Sequence, residues 1–458
     1  MQSILSIGDK VDIEINGLGH SGEGVGRYQN IAVFVPGALS GERVRVRIKQ
    51  VKKSFARGEL VEILKNSTAR LEPTCKYYQH CGGCQLQHLD YQAQLAHKRT
   101  VVQSALQKIG GLPDVTVLPT LGMKDPWHYR NKIHLQVKEQ KGRIKLGYYA
   151  EGSYELVAGL AGQTCLLVQQ EINQVIVTLE ELINEYKLTP YHWGKKEGLL
   201  RHVMIRRGSH TGQCMVVLIT SPEKWPTAKA FSQTLIARHP KITSVIRNIN
   251  NNPGRVVLGR ENQVLSGKEY IEDELGGLKF NISASSFYQI NPLQTEVLYR
   301  KAMEYAQLTG KERVIDAYCG IGTIALYLAR YAAEVLGMEI VPAAVADAKK
   351  NARLNGLTNV KFLQGAVEKL LPSMAKELKP DVVILDPPRK GCEKEVLTAI
   401  AQAKVPKVVY VSCDPATLAR DLGVLDKLGY QTLQVQPVDM FPWTGHTECC
   451  VKIERVKG

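Results

Sequence analysis

Long apolar runs are the first feature that this sequence lacks. No stretch of its 458 residues approaches the roughly 20 consecutive apolar residues that a membrane-spanning helix needs. The first ten residues, from Met1 to Lys10, do not have the charged lead, long apolar stretch and small-residue cleavage site of a secretory signal. We therefore expect no membrane segment, and the cytoplasm is the expected compartment.

Cysteine is also scarce, with ten residues in the whole chain. Secreted disulfide scaffolds are much richer in cysteine, and nothing in the sequence points to an oxidising compartment, so disulfides are not expected. Cysteines that cluster in such a chain are expected to bind a metal or to take part in a reaction.

Acidic residues are outnumbered by basic ones, 44 to 59, which gives a formal net charge of +15. A polyanionic partner such as a nucleic acid is the first expectation from this balance. The length and an apolar content of 44% are sufficient for two to four domains with cores of their own.

Residues 1–64 are predicted to form a small β-barrel of OB-like type, because short alternating segments are separated by glycines. Arg43, Arg45, Arg47 and Lys49 alternate with apolar residues, which places four cations on one face of one strand. That face is interpreted either as a surface that follows a nucleic-acid backbone or as a charged strand protected against aggregation.

A cysteine cluster follows the predicted barrel. Cys75, Cys81 and Cys84 are spaced C-x5-C-x2-C, with a glycine pair that lets the backbone wrap closely around a ligand. Cys165 is the best candidate for a fourth ligand. Four cysteines suit either an iron–sulfur cluster or structural zinc. Because zinc sites usually contain two close pairs, the spacing favours iron–sulfur.

Residues 65–279 are assigned to this metal segment and an α+β middle domain. A helix is predicted from Leu86 to Leu106, stopped by Gly110 and Gly111, and residues 86–112 can pack on the carboxy-terminal domain. The predicted strands are Lys132–Val137, Arg143–Tyr149, Val203–Arg206, Met215–Thr220, Ser244–Arg247 and Arg255–Leu258. Five basic residues suit either phosphate contacts or ordinary surface pairing: Arg130, Lys132, Arg201, Arg206 and Arg207.

Residues 280–458 alternate strands with helices, which predicts a doubly wound α/β, Rossmann-like sheet. Ligands bind such sheets outside the carboxyl ends of the strands. The turn that begins at Tyr318 contains Gly320 and Gly322, and Glu339 ends the next predicted strand, where it is placed to accept hydrogen bonds from ribose hydroxyls. This combination favours an adenosine cofactor. With Asp386 in an Asp-Pro-Pro-Arg sequence, it resembles S-adenosylmethionine-dependent methyltransferases.

Cys413 is predicted at the end of an apolar strand and beside the start of a helix. Asp414 suits the N-cap position and Pro415 the first helical position. The partial positive charge of a helix N-terminus favours a thiolate, so Cys413 is a candidate nucleophile. The alternative is a small buried cysteine with no chemical role.

The sequence from Ser412 to Asp421, taken together with Gly445-His-Thr-Glu448, closely resembles the RNA (uracil-5-)-methyltransferases. The resemblance covers nearly the whole chain. It implies an amino-terminal TRAM domain, Cys413 as nucleophile and Glu448 as base. It also implies cofactor contacts and ligands of a 4Fe-4S cluster: Gln289, Tyr318, Glu339 and Asp386 for S-adenosylmethionine, and Cys75, Cys81, Cys84 and Cys165 for the cluster. Two positions depart from the family pattern, where asparagine is common: Asp414 and Ala366.

The implied reaction transfers a methyl group to carbon 5 of a uridine through a covalent cysteine–uracil adduct. The expected partner is RNA, with 23S ribosomal RNA ahead of transfer RNA, and no obligate protein partner is evident. The target base is expected to be flipped out of its stack, and Phe287 or Tyr288 would either stack on it or fill core. Without the resemblance, Glu448 would be interpreted as an exposed acid at the start of a strand.

Two rival functions remain open from the residues. One is an RNA methyltransferase that modifies an exocyclic amine with the Asp-Pro-Pro-Arg sequence beginning at Asp386, a mechanism in which Cys413 has no role. The other is a ribosome-assembly factor that binds RNA and catalyses no reaction.

Overall fold

The computed structural model describes residues 5–150, 152–157, 165–252, 254 and 256–456. None of the helices in these ranges is both long and apolar enough to cross a membrane.

The amino-terminal segment is a closed five-stranded barrel in which the strands follow the order β1-β2-β3-β5-β4. Every second residue of β1 and β4 is apolar and buried, so alternation alone fills the barrel interior. The predicted OB-like barrel is confirmed. Its strands are β1 (Lys10–Leu18), β2 (Gly24–Tyr28), β3 (Ile31–Val35), β4 (Arg43–Val51) and β5 (Phe55–Lys65).

The cations of β4 are balanced by acids on the neighbouring strands. Arg45 binds Asp12 of β1 at 2.9 Å and Glu62 of β5 at 2.8 Å. On the same face Lys49 binds Glu59 at 2.9 Å. These ion pairs are at the surface and Arg43 takes part in none of them, so both interpretations of this face stay open.

A helix, α1 (Tyr91–Ala105), follows the cysteine segment. It begins at Asp90, whose carboxylate accepts hydrogen bonds from two backbone N–H groups of the first turn. A π-helical turn covers Leu106–Gly110, and Gly111 ends it with a left-handed φ of 68°. The predicted helix is thus present but begins about one turn later than expected.

The middle of the chain forms a seven-stranded sheet in the order β13-β12-β11-β10-β7-β8-β9. One face packs on two helices, and the other face packs on a hairpin and on the carboxy-terminal domain. The strands are β7 (Lys132–Gln140), β8 (Arg143–Tyr149), β9 (Leu156–Val157), β10 (Leu200–Arg207), β11 (Cys214–Thr220), β12 (Ile242–Ile249) and β13 (Glu261–Gly267), preceded by the short β6 (Thr116–Val117). The helices are α2 (Gln170–Glu185) and α3 (Ala228–Arg238), and the hairpin is β14 (Tyr270–Leu275) with β15 (Leu278–Ser283).

Two details differ from the sequence prediction. Of the predicted strand Arg255–Leu258, Arg255 lies outside the described residues and residues 256–258 are irregular, because the edge strand is β13. The predicted domain boundary at residue 280 divides β15, since hydrophobic residues of the hairpin join the core of the carboxy-terminal domain.

The carboxy-terminal domain contains an eight-stranded sheet in the order β18-β17-β16-β19-β20-β22-β21-β6. Its first five strands are parallel, as expected for an α/β fold, and β22 is antiparallel to both of its neighbours. The strands are β16 (Arg313–Ala317), β17 (Glu334–Glu339), β18 (Val360–Gln364), β19 (Val382–Leu385), β20 (Lys407–Ser412), β21 (Tyr430–Val438) and β22 (Glu448–Arg455). The helices are α4 (Pro292–Ala306), α5 (Thr323–Ala329), α6 (Pro342–Leu354), α7 (Val367–Leu378), α8 (Lys394–Gln402) and α9 (Pro415–Lys427).

The segment from α1 to β6 packs on this sheet although it precedes the middle domain in the chain. β6 pairs with β21 in parallel. Gly110 lies so close to α9 that a Cβ atom would come within 2.8 Å of the Ala419 carbonyl oxygen. Only glycine permits that approach.

Candidate active site

The turn after β16 is shaped by three residues with left-handed backbone: Tyr318 (φ 68°), Gly320 (φ 55°) and Gly322 (φ 84°). The Gly320 N–H donates to the Glu339 carboxylate at 3.1 Å. The other oxygen of Glu339 accepts from the Val341 N–H at 2.8 Å. Glu339 therefore ends β17 directly beside the glycine turn, where the sequence placed it.

A cleft opens at this turn, at the carboxyl ends of the parallel strands. Three of the four predicted cofactor residues line it, namely Gln289, Tyr318 and Asp386. Glu339 accepts a hydrogen bond from the N–H group of Gly320, which also lines the cleft. The structure thus brings all four predicted residues to one place. The full lining consists of Phe287, Tyr288, Gln289, Tyr299, Asp316, Tyr318, Cys319, Gly320, Ile321, Thr323, Ile324 and Asp386.

Asp316 is a cleft residue that the sequence analysis missed. Its side chain is fully buried at the end of β16, and neither carboxylate oxygen has a hydrogen-bond partner among the described residues. Burial, and then the nearby Asp386, raises the pKa of Asp316 well above its usual value. An unpartnered buried carboxylate facing a cleft suits a cationic ligand group. The signal in the sequence was an acid inside an otherwise apolar strand.

Cys413 and Glu448 meet at the rim of the same sheet. Ser412 pairs with Cys449 across the antiparallel strands β20 and β22. Cys413 directly follows Ser412 at the end of β20, and Glu448 directly precedes Cys449 at the start of β22. Because the strands are antiparallel, Cys413 and Glu448 are opposite each other. The two side chains are close enough for Glu448 to act electrostatically on the Cys413 thiol.

The surroundings of this pair favour its protonated forms. Burial, and then Glu448 and Asp386, raises the pKa of the Cys413 thiol to about 11. Burial and Asp386 likewise raise the pKa of Glu448 to about 8, and burial raises the pKa of Asp386 to about 7. Arg389 lowers the pKa of both Cys413 and Glu448. Desolvated carboxyl groups with such values are typical of reactive sites.

Burial, Glu448 and Asp386 thus oppose the thiolate that was predicted at Cys413. Asp414 does cap α9, because its carboxylate accepts from the N–H groups of Ala416 at 3.0 Å and Thr417 at 2.9 Å. This places a carboxylate at the helix N-terminus that was expected to stabilise the thiolate. Burial and neighbouring acids outweigh the helix dipole, which contributes at most about 2 kcal/mol.

Phe287 and Tyr288 have different environments. Tyr288 is buried, with 3% exposure, and packs against Phe280. Phe287 is 64% exposed at the edge of the cleft. Of these two residues, only Phe287 is therefore available to a planar ligand that enters from solvent.

Most of the basic residues singled out in the middle domain have internal roles. Arg206 is buried and donates to the carbonyl oxygens of Ser283 at 2.7 Å and Ser286 at 2.6 Å. Arg201 donates to the carbonyl oxygens of Asn250 and Asn252. Such contacts fix the sheet to its loops and leave these guanidinium groups occupied. Arg207 binds Glu171 at 2.9 Å, Arg130 interacts with Tyr129 and Cys165, and burial lowers the pKa of Lys132 to about 7.

The four predicted cluster ligands, Cys75, Cys81, Cys84 and Cys165, are free thiols in neighbouring positions. Electrostatic interactions connect Cys81 with Cys75 and Cys165, and Cys84 with Cys165. Burial, and then the other thiols, raises the pKa of Cys84 to about 12.

Within the described ranges, no three His, Cys, Asp or Glu side chains are gathered closely enough to hold a metal ion. The geometry therefore shows neither a zinc site nor an iron–sulfur centre, and the cluster stays a prediction. His88, four residues after Cys84, is buried and contacts Tyr78.

Comparison with known proteins agrees with the geometry. Residues 254–456 match the family model tRNA (Uracil-5-)-methyltransferase, and residues 5–61 match the TRAM domain. An uncharacterized RNA methyltransferase of Halalkalibacterium halodurans is 46% identical over 454 residues, covering 99% of this chain and 98% of the relative. One of Clostridium acetobutylicum is 46% identical over 461 residues, covering all of both chains.

The chain belongs to the RNA (uracil-5-)-methyltransferase family. Among solved structures, it is similar to the Pyrococcus abyssi tRNA (uracil-54, C5)-methyltransferase in complex with S-adenosyl-L-homocysteine. The TM-score is 0.77 and the identity is 28%, over 96% of this chain and 99% of the other. As a member of this family the protein is an S-adenosylmethionine-dependent RNA methyltransferase with an amino-terminal TRAM domain. This membership argues against a ribosome-assembly factor without enzymatic activity.

Proposed function

We propose that this methyltransferase forms 5-methyluridine in RNA through a covalent bond between Cys413 and carbon 6 of the target uracil. The observation that carries the proposal is the register of β20 and β22, which brings Cys413 and Glu448 opposite each other and near Asp386, a residue that lines the cleft. A nucleophile and a base next to each other are what this reaction requires.

Cys413 supplies the nucleophile. Carbon 5 of uracil reacts poorly by itself, so addition of the sulfur to carbon 6 pushes the electron pair of the double bond onto carbon 5 and the adjoining carbonyl. S-adenosylmethionine would supply the electrophilic methyl group for carbon 5, with its sulfur–methyl bond breaking and S-adenosylhomocysteine as the leaving group. Only the thiolate adds to carbon 6, so the partly exposed Cys413 thiol first loses its proton to solvent. Burial raises the pKa of the thiol and makes this loss less favourable.

Glu448 completes the reaction. After methylation, carbon 5 carries both a methyl group and a proton. The Glu448 carboxylate takes that proton, the double bond between carbons 5 and 6 forms again, and the bond from carbon 6 to sulfur breaks. Its burial beside Asp386 raises the pKa of Glu448 to about 8, which makes it a stronger base than an exposed glutamate.

The cleft residues are proposed to hold S-adenosylmethionine. Glu339 lies where ribose hydroxyls would meet the glycine turn, and Gln289, Tyr318 and Asp386 line the remaining walls. The unpartnered carboxylate of Asp316 suits the ammonium group of the cofactor's methionine part. Phe287, exposed at the edge, suits stacking on a flipped base.

The four cysteines are proposed to bind a 4Fe-4S cluster. In a four-iron cluster each thiolate binds a different iron, so the sulfurs stand farther apart than around a single ion. The four thiols influence one another electrostatically, which supports one shared site, and the C-x5-C-x2-C spacing of three of them favours iron–sulfur over zinc.

We propose 23S ribosomal RNA as the first substrate, on the basis of the TRAM domain together with the four cysteines. Transfer RNA is the second candidate, favoured by the similarity to the Pyrococcus abyssi enzyme, whose description names tRNA.

Nucleoside mass spectrometry tests the function directly. Unmodified transcripts of 23S ribosomal RNA and of transfer RNA are incubated separately with the protein and methyl-labelled S-adenosylmethionine. Label in 5-methyluridine from one transcript supports the proposal and identifies the RNA class. Label in a methylated amine would instead support the rival reaction through Asp386 and leave Cys413 without a role.

A further inference from the structure

The connection from β21 to β22, residues 439–447, leads directly into Glu448. This loop, called the 439–447 loop below, receives contacts from several parts of the chain that lie far away in sequence. Glu448 is the first residue after the loop, so the conformation of the loop acts together with the register of β22 on the position of the Glu448 carboxylate.

The first set of contacts comes from α1. Lys98 and Asp439 form an ion pair at 2.5 Å, and both side chains are completely buried. The Tyr91 hydroxyl donates to the other oxygen of Asp439 at 2.8 Å, and Lys98 donates to the Phe441 carbonyl oxygen at 3.1 Å. α1 therefore fixes the start of the loop.

The second set comes from the cysteine segment and meets the loop at Trp443. The N–H groups of Gln85 and Leu86, immediately after Cys84, donate to the Trp443 carbonyl oxygen at 2.9 and 3.0 Å. The indole ring packs in one apolar cluster with Cys84 and Cys165. Two of the four cysteines thus share a cluster with a loop residue five positions before Glu448.

The indole of Trp443 is fixed on its other sides as well. It stacks on Trp127 with 4.3 Å between ring centroids, and its N–H donates to the Pro126 carbonyl oxygen at 3.0 Å. The barrel supplies a further contact, because Gly445 lies so close to Ser21 that a Cβ atom would come within 2.9 Å of its backbone.

Trp443 has a φ of 68°, in the left-handed region that bulky residues rarely adopt. A conformation of this kind costs about 1–3 kcal/mol and persists only where the surroundings impose it. The contacts from the cysteine segment and from Trp127 are the surroundings that impose it here.

We propose that Trp443 is a positioning residue that transmits the order of the four-cysteine site to Glu448. The inference rests on the proposed role of Glu448 as the base. It assigns the cysteine site a purpose in the second half of the reaction, the release of the methylated base, in addition to any contact with RNA.

A positioning role predicts a specific defect. If the loop relaxes, Cys413 can still add to the uracil and carbon 5 can still be methylated, but Glu448 no longer reaches the carbon 5 proton. The covalent adduct then accumulates. A residue that only supports folding or RNA binding would lower adduct and product together.

Trp443→Ala tests this in a single-turnover reaction with an unmodified 23S ribosomal RNA transcript, or the transfer RNA transcript if that is the one methylated. Two quantities are measured: the fraction of protein in an SDS-resistant complex with RNA, and the yield of 5-methyluridine released. We expect a fall in product of about 100-fold, the effect of a misplacement of roughly 1 Å. The adduct fraction should rise at least about fivefold in the same reaction.

Trp193→Ala is the matched control, since Trp193 is a partly exposed tryptophan of the middle domain that stacks on Arg201. It should leave the ratio of adduct to product unchanged. Trp443→Phe keeps an aromatic ring but loses the N–H donor, so it should show a smaller rise of adduct. This variant keeps the inference testable if Trp443→Ala does not fold. Hydrogen exchange at the Gln85 and Leu86 amides reads out the contact independently of activity and should accelerate in Trp443→Ala.

Cys84→Ala should resemble Trp443→Ala in its ratio of adduct to product. Parallel loss of adduct and product in both variants, or an unchanged ratio, would overturn the inference. The variant Glu448→Gln shows whether a negative result contradicts the positioning role of Trp443 or the proposed function itself. If Glu448→Gln accumulates adduct and Trp443→Ala does not, the positioning role is wrong, whereas absence of adduct in every variant overturns the covalent mechanism and the inference together.

Discussion

Cys413 and Glu448 are the next residues in opposite directions after the antiparallel pair Ser412 and Cys449. One ladder of hydrogen bonds therefore sets the position of both. A parallel strand at the place of β22 would have carried its first residue to the opposite end of the sheet. The single antiparallel strand between β20 and β21 is thus what brings a base beside a nucleophile at the carboxyl ends of the parallel strands.

Cys413→Ala should abolish formation of 5-methyluridine, with a loss of more than about three orders of magnitude in kcat, because no other group can activate carbon 5. S-adenosylmethionine binding, measured by calorimetry, should stay within about twofold, since the cleft is intact. Cys214→Ala, at a buried cysteine of the middle domain, is the control and should remain active. Substantial activity in Cys413→Ala would point to the amine reaction instead.

Glu448→Gln should lower turnover by about two to four orders of magnitude, the usual contribution of a general base. The methylated adduct should persist and migrate as a protein–RNA complex on a denaturing gel, because the carbon 5 proton has no acceptor. Glu454→Gln, at the other end of β22, should behave like the wild type. A Glu448→Gln protein that releases product at a normal rate would remove Glu448 from the mechanism.

Turnover should rise with pH. Only the ionised form of Glu448 accepts a proton, and burial beside Asp386 raises its pKa to about 8. At pH 7 roughly one molecule in ten is therefore ionised, so ionisation of Glu448 should increase the rate of proton removal from carbon 5 up to about tenfold between pH 7 and pH 9. Ionisation of the Cys413 thiol, whose pKa is about 11, adds a further rise in the addition step. The pH dependence of kcat measures this.

Asp386→Asn provides the comparison for that profile. It removes the carboxylate that helps to raise the pKa of Glu448, so its midpoint should move to lower pH even if its overall activity falls. An unchanged midpoint in this variant would mean that Glu448 does not control the titration.

Protein purified without oxygen should contain iron and acid-labile sulfide. Cys84→Ser should lose both iron and sulfide, because Cys84 belongs to the four-cysteine site. Cys214→Ser should keep them, because Cys214 does not belong to that site. Colour, iron analysis and sulfide analysis give the answer. Protein reconstituted under anaerobic conditions that holds zinc and no iron would contradict the 4Fe-4S assignment.

Lys98→Met should destabilise the protein by about 3–5 kcal/mol, because it leaves the Asp439 charge buried without its partner. Denaturant unfolding measures the change. The double variant Lys98→Met with Asp439→Leu should recover much of the stability, since no unpaired charge remains. A double variant as unstable as the single one would show that the pair acts through packing and not through charge.

Sequence reasoning located the barrel and the α/β domain because both depend on local patterns. Alternation of apolar residues along β4 and the short β-branched run that ends at Ser412 are visible without any tertiary information. The glycine turn and its neighbour Glu339 were likewise visible, since they lie at the ends of two consecutive parallel strands, β16 and β17. The strand assigned to Arg255–Leu258 was wrong because a short apolar run carries no information on whether a neighbouring strand will pair with it.

The charged groups were harder to interpret. The four alternating cations on β4 were visible in the sequence, but their acidic neighbours Asp12, Glu59 and Glu62 on other strands were not. Arg201 and Arg206 look like phosphate contacts until their carbonyl partners are known. Sequence shows which charges exist, but the partner of each charge lies elsewhere in the chain.

What the sequence determined by itself is the set of elements and the chemistry of their ends: a β-barrel, parallel strands, a glycine turn, and Cys413 just beyond a strand. The tertiary structure alone decided which of these ends meet. It put Glu448 opposite Cys413 through an antiparallel register, buried Asp316 without a partner, and tied the cysteine segment to the 439–447 loop through Trp443. The reason is physical, because local patterns follow from neighbouring residues whereas proximity, burial and pKa depend on groups hundreds of residues apart.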